Sequence, residues 1–140
     1  MRLRKVFYLA LFVVFFLWLH FWLRSWIIQT ESWITTCNPG WPMDIPLPRW
    51  FAPVIFGVSL LLIRQWWKET SFSLEWPWLL IISGGVSNFL ERARFGCIMD
   101  YITLPLLPVF NIADVLLTIG TLCIIIRWSR DVIKTGGQDI

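Results

Sequence analysis

Residues 100–114 read DYITLPLLPVFNIAD, a stretch that opens and closes on an aspartate while nearly everything between is apolar or aromatic. Long apolar runs flank it, WPWLLIISGGVSNFLERARF from Trp76 and FNIADVLLTIGTLCIIIRW from Phe110. Pro105 and Pro108 keep the middle out of a regular helix, because proline lacks a backbone donor and clashes with the preceding turn. The stretch therefore reads as a short connector between two apolar segments, with one carboxylate leaving the first and another entering the second.

Composition says what kind of solvent those segments meet. The chain is 57% hydrophobic and only 15% charged, with a mean hydropathy of +0.66, outside the ordinary soluble range. This predicts a membrane protein, and 140 residues leave room for one integral membrane domain, 1–140, but not for a sizeable soluble domain beside it. Two more apolar runs precede the pair. MRLRKVFYLALFVVFFLWLHFW has the basic head and apolar body of a secretory signal peptide, yet Val6 to Leu23 approaches a full span and no small-residue cleavage site follows it, which favours a retained first helix. The other, FAPVIFGVSLLLIRQWW, starts at Phe51. The expectation is an all-α membrane protein, a four-transmembrane-helix bundle with helices near 6–23, 51–67, 76–94 and 110–128.

Charge then orients the bundle. Arg2, Arg4, Lys5, Arg64, Lys68, Arg127, Arg130 and Lys134 fall on one face of a four-span chain, and only Arg24, Arg49, Arg92 and Arg94 on the other. Cations stay on the cytoplasmic side, so both termini are expected there and the two aspartates at the extracytoplasmic interface. The net charge of +3 is topological, scattered at the ends of apolar runs, and points to no nucleic acid. Trp18, Trp22, Trp26, Trp50, Trp66, Trp67, Trp76, Trp78 and Trp128 gather at the run ends, as an interfacial aromatic belt would. Cys37, Cys97 and Cys123 lack paired spacing and lie far in sequence from the single histidine, His20; no metal site is expected, and the three read as free thiols.

Ionisable residues at membrane depth are functional candidates whose partners should be named. Asp114 lies three residues after Asn111, so both project from one helix face, and Asp100 can come down beside them. Two carboxyls sharing a site hold one proton between them; one can activate a water as general base while the other donates to the carbonyl under attack. The alternative is a pair of solvated interfacial acids, with Asp114 favourably placed near a helix N-terminus. In GGVSNFLERARFGCIMDY, 84–101, Gly84 and Gly85 suit close helix packing, and Asn88 and Arg92 share a face pointing toward the acids.

These blocks resemble lipoprotein signal peptidases, the bacterial type II signal peptidases, whose third and fourth helices carry G-G-x-x-N-x-x-D-R-x-x-x-G-x-x-x-D-[FY] and F-N-x-A-D. The resemblance is carried by GGVSNFLERARFGCIMDY and FNIAD and is strong over residues 76–120. It implies an intramembrane aspartic endopeptidase with catalytic Asp100 and Asp114, and with Asn88, Arg92, Asn111, Asn38 and Arg24 as substrate-binding or active-site support. The implied substrate is a diacylglyceryl-modified prolipoprotein cut before its lipidated cysteine. It also implies a monomer in the bacterial cytoplasmic membrane, surrounded by membrane lipid; no cofactor is expected. Gly96 matches a glycine at the bend before the first aspartate.

Three departures accompany the match. Glu91-Arg92 stands where the family has Asp-Arg. HFWLR, 20–24, stands where it has D-Q-x-x-K, with His20 for the acid and Arg24 for the lysine, so that His20 would act as a neutral acceptor or leave the interaction unmade. NPGWP from Asn38 partly matches N-x-G-x-A-F, in a segment that in the family forms a small extracytoplasmic β element after helix one; here it is shortened and holds Pro39, Pro42, Pro46 and Pro48, which argues for a reduced cradle. A non-catalytic relative binding lipid or lipoprotein, or a subunit using the acids as a proton site, are the competing readings. Retention of both acids, both asparagines and the arginine favours the peptidase.

Overall fold

The computed structural model describes residues 2–30, 35–38, 58, 61, 64–68 and 72–136. Helix α1 spans Arg2–Thr30, strand β1 Thr36–Asn38, helix α2 Phe72–Phe95, strand β2 Ile98–Asp100 and helix α3 Ile112–Gly136. Residues 58, 61 and 64–68 are helical. The rest of the expected second span, Arg49 and the four prolines of the 39–48 segment lie outside the described residues.

Among the described residues two helices are long and apolar enough to cross a membrane, Leu3–Thr30 and Ile112–Arg130. Only 6% of the most apolar window of the first is buried inside the protein. Val6, Phe7, Leu11, Val14, Phe15, Trp18 and Trp22 all lie exposed along it, a surface that suits lipid and not water. Helix α1 runs on past the expected end at Leu23, since Arg24 is not an interfacial stop: its guanidinium is paired inside the protein.

Helices α2 and α3 pack most closely, and glycine sets their distance. A Cβ on Gly84 would lie 2.5 Å from the Ala113 carbonyl oxygen, and one on Gly120 would lie 2.6 Å from the Pro77 carbonyl oxygen. Gly85 has open space around it, so of the expected glycine pair only Gly84 makes the close approach. Toward the opposite end from the aspartates, Trp66, Trp78 and Leu79 form a buried cluster with Leu9, Phe12, Ile81, Ile82 and Ile124 packed against it. Trp66 and Trp78 thus leave the expected aromatic belt, because their positions face the neighbouring helices. A buried Lys5–Glu75 pair, 3.1 Å, ties α1 to α2 beside this cluster, with the Lys5 ammonium 5.6 Å from the centre of the Trp66 ring.

At the aspartate end the chain turns sharply. Gly96 takes a left-handed φ of 78° and its N–H bonds the Arg92 carbonyl at 2.9 Å, a left-handed helix cap that a side chain would strain. Strand β2 then pairs antiparallel with β1, Cys37 opposite Met99 and Thr36 opposite Asp100. The expected β element after the first helix is therefore present as two strands of three residues. Beyond it, Ile102 bridges Phe110 and the Leu107 N–H bonds the Leu104 carbonyl at 3.2 Å. Pro105 occupies the second position of this turn and Leu106 the third, with φ 68°, the geometry of a type II turn; the connector is non-helical, as its prolines require.

One expectation is overturned here. Cys37 and Cys97 are not free thiols but form a disulfide, with Cα atoms 5.6 Å apart and a sequence separation of 60. Sequence spacing could not reveal it, because the pairing depends on β1 returning from α1 to lie on β2. Cys123 is the free cysteine among the described residues.

Candidate active site

The entry to α3 is built first, from the sequence Asn111-Ile-Ala-Asp114. The Asn111 side-chain oxygen accepts from the N–H groups of Ala113 (2.7 Å) and Asp114 (3.1 Å), while the Asp114 carboxylate accepts from the Asn111 N–H at 3.1 Å. This is a reciprocal capping box that satisfies the orphan donors of a helix start. It explains why α3 begins at Ile112, two residues later than expected. The Ile112 N–H, a further orphan, donates to the Tyr101 hydroxyl oxygen at 3.3 Å; burial pushes the Tyr101 phenol up to about 12.

The same asparagine joins the two acids. Its side-chain amide donates to Asp100 Oδ1 at 2.8 Å while its backbone N–H serves Asp114. Asn88, on α2, donates to Asp114 Oδ1 at 2.8 Å, and Asn38, at the end of β1, approaches Asp100 Oδ2 at 3.4 Å. Each carboxylate is thus fixed by two donors from two different elements. Asp100 is nearly fully buried, and burial raises its carboxyl above the ordinary 3.8, with the charges of Asp114 and Glu91 adding to the rise and the Asn111 and Asn38 amides opposing it.

The acids open onto a cavity of about 300 Å³. Asn38, Asn88, Arg92, Asp100 and Asp114 line it together with apolar side chains that include Ile98, Val109, Phe110 and Leu117. Polar groups set among apolar side chains suit a ligand with both polar and apolar parts. Of the seven residues expected from sequence, five line this cavity. Asn111 sits behind both acids, wholly buried, and Arg24 stands further back, where its Nε donates to Glu91 Oε1 at 2.9 Å. Among the described residues no cluster of histidine, cysteine and acids is arranged to hold a metal ion.

The two departures on α1 and α2 turn out to be one interaction. His20 Nε2 lies 2.6 Å from Glu91 Oε2, with both side chains about 1% exposed. The acceptor beside Arg24 is thus Glu91 and not His20, which the sequence offered in that role, and α1 stays tied to α2 at this point; facing an ionised carboxylate the imidazole presents an N–H from Nε2. Glu91 also fixes Arg24, whose guanidinium lies 3.7 Å from the centre of the Phe95 ring. Sequence reasoning treated Glu91 only as a lengthened aspartate. The signal that could have found it was two ionisable residues, His20 and Glu91, each near the same end of its apolar run.

Fold and site together define a helical membrane protein with a paired-acid cavity roofed by a small disulfide-linked sheet. The chain belongs to the signal peptidase II family: the family model described as Signal peptidase (SPase) II matches residues 17–130. It is 47% identical over 108 residues to a lipoprotein signal peptidase of Streptococcus agalactiae, matching 75% of this chain and 61% of that protein. It is 30% identical over 92 residues to one of Caldicellulosiruptor bescii, 66% of this chain and 59% of that protein, and 38% identical over 79 residues to one of Brevibacillus brevis, 51% and 52%. The matches span between half and two thirds of the length of these relatives. The fold is also that of a bacterial membrane enzyme solved by the in meso method at 2.3 Å, with a TM-score of 0.74, 23% identity and coverage of 89% of this chain and 88% of that one.

Proposed function

We propose that this chain is an aspartic endopeptidase of the bacterial cytoplasmic membrane that removes the signal peptide from diacylglyceryl-modified prolipoproteins, cutting before the lipidated cysteine. The single observation that carries the chemistry is Asn111, which holds Asp100 through its side chain and Asp114 through its backbone beside a partly apolar cavity. Family membership supplies the substrate class.

In this reading Asp100, the more buried acid with its carboxyl pushed up, holds the shared proton, and Asp114 is the base. Asp114 takes a proton from a water as the water oxygen bonds the scissile carbonyl carbon, and Asp100 gives its proton to the carbonyl oxygen. Collapse of the tetrahedral species breaks the C–N bond. The proton held by Asp114 goes to the leaving amine, and the proton on the hydroxyl returns to Asp100, which restores the starting pair. Asn88 and Asn38 keep the acids in register, and Arg92 at the cavity wall binds substrate backbone. The apolar lining faces the hydrocarbon of the lipidated cysteine.

The same reading makes residues 1–140 one membrane domain of four spans, working as a monomer with both termini cytoplasmic and the cavity near the extracytoplasmic face. The charge asymmetry supports this side, and so does the Cys37–Cys97 disulfide, since disulfides persist in oxidising compartments. The test is cleavage of a diacylglyceryl prolipoprotein by the purified protein. Asp100→Asn and Asp114→Asn should each abolish signal-peptide release while the melting temperature stays near that of the parent. Cleavage by either variant at the parent rate refutes the dyad, and binding without cleavage by the parent selects the non-catalytic relative.

A further inference from the structure

Glu91 does more than fill a family position. Its Oε2 bonds His20 and its Oε1 bonds Arg24, both on α1. Oε1 also accepts the backbone N–H of Met99 at 3.2 Å, and Met99 is the residue before Asp100 on β2. One buried carboxylate, 1% exposed, therefore gathers donors from α1 and β2 while standing on α2. On its other side Met99 faces Cys37 across the sheet, so the strand is held from behind by Glu91 and from the front by β1. The Asp100 side chain can reach Asn111 and Asn38 only if this strand stays at its present height above α2.

We propose that Glu91 is a positioning residue for Asp100, acting through the Met99 N–H, and that the length of its side chain is the property that matters. The inference rests on the peptidase reading above. The geometry separates length from charge. Glutamine keeps the reach: its oxygen can accept from Arg24 and Met99, and its amide can donate to His20 Nε2 once the imidazole adopts the other tautomer. Aspartate keeps the charge but is one methylene short, and three donors fixed on two other elements cannot all follow it.

The two variants should therefore fail differently. The charged and titratable groups around Asp100 are Asp114 from α3, Glu91 and Arg92 from α2, the adjoining Tyr101 and, behind Glu91, His20 and Arg24 from α1. Removing the Glu91 charge removes one of the influences that raise the Asp100 carboxyl. Glu91→Gln should keep kcat on the pH plateau within about threefold and move the high-pH limb of the profile, where the proton-holding acid ionises, to lower pH. Glu91→Asp should leave that limb in place and lower plateau kcat by about tenfold to a hundredfold, the cost of a misplacement of order 1 Å, with KM unchanged.

The experiment measures kcat, KM and the pH profile of both variants on a diacylglyceryl prolipoprotein. Hydrogen exchange at the Met99 amide is measured in parallel on the full-length protein in detergent. Faster exchange in Glu91→Asp than in the parent and Glu91→Gln, together with the split in kinetics, supports the anchor. A Glu91→Asp protein that melts lower but turns over at the parent kcat per folded molecule, or whose Met99 amide exchanges as in the parent, overturns it and leaves Glu91 a structural clamp. An active Asp100→Asn control, or no cleavage by the parent, removes the peptidase reading and this inference with it. When the parent cleaves and Asp100→Asn does not, the peptidase reading holds and the two Glu91 variants test the anchor separately.

Discussion

Breaking the Cys37–Cys97 bridge by Cys37→Ser and Cys97→Ser should loosen the roof of the cavity. The bond closes a loop of 60 residues, for which the chain-entropy relation gives about 4 kcal/mol of constraint on the unfolded ensemble. Helix α2 occupies 24 of those residues and stays helical in a membrane environment. Removing them from the flexible length lowers the closure entropy by less than the roughly 0.6 kcal/mol that a full halving would, so about 3.5 kcal/mol remains. The sheet it reinforces pairs only three residues per strand, and a two-stranded ribbon of that size is marginal alone. Without the bridge β1 should separate, taking Asn38 from Asp100, a hydrogen bond worth about 1 kcal/mol, or roughly fivefold in rate. Melting in detergent, with and without reductant, should show the parent losing roughly 10 °C on reduction and the double variant insensitive to it. Cleavage by the double variant should fall about fivefold. Cys123→Ser is the control and should change neither. A double variant that melts within about 2 °C of the parent and cleaves at its rate refutes the idea that this bridge holds the strand over the site.

Asn111→Ser keeps an oxygen to cap α3 but cannot reach Asp100, so it removes an influence that lowers the Asp100 carboxyl; the high-pH limb of the cleavage profile should move to higher pH. The sign for stability is opposite to that of a salt-bridged acid. With a native value raised above 3.8, the Asp100 contribution is lost as pH rises from 3.8 through that native value, and chemical denaturation at a series of pH values reads it. Gly84→Ala gains about 1 kcal/mol of helix propensity but pushes a Cβ against the Ala113 backbone oxygen, at about 1–3 kcal/mol, so it should lower the melting temperature. Gly85→Ala, with open space around it, should leave it unchanged or raise it. Lys5→Met should destabilise by about 3–5 kcal/mol by stranding the buried Glu75, and Lys5→Met with Glu75→Leu should recover most of that loss in the same melts.

Much of the site was legible because it is local. Asn111 and Asp114 sit three apart at the start of a helix, and that spacing dictates both the capping box and the direction of the carboxylate. Gly96 announced the bend that turns β2 back, and Pro105 announced the turn at the hairpin tip. Asn88 and Arg92 share a helical face by their four-residue spacing and both reach the cavity. Apolar run lengths marked α1 and α3 as membrane helices, although the ends slipped: α1 extends to Thr30 because Arg24 finds a partner inside, which run length cannot express.

What sequence alone determined is therefore the solvent, the helices that meet it and the residues whose roles depend on neighbours within one helical turn or one bend. What only the tertiary structure decided are pairings between groups 60 to 71 residues apart: Cys37 with Cys97, separated by 60, and His20 with Glu91, separated by 71. Each half of such a pair looks anomalous in its own segment, a thiol with no spacing or an ionisable group at the end of an apolar run. Only the approach of α1 and β1 to α2 and β2 supplies the partner that makes its burial affordable.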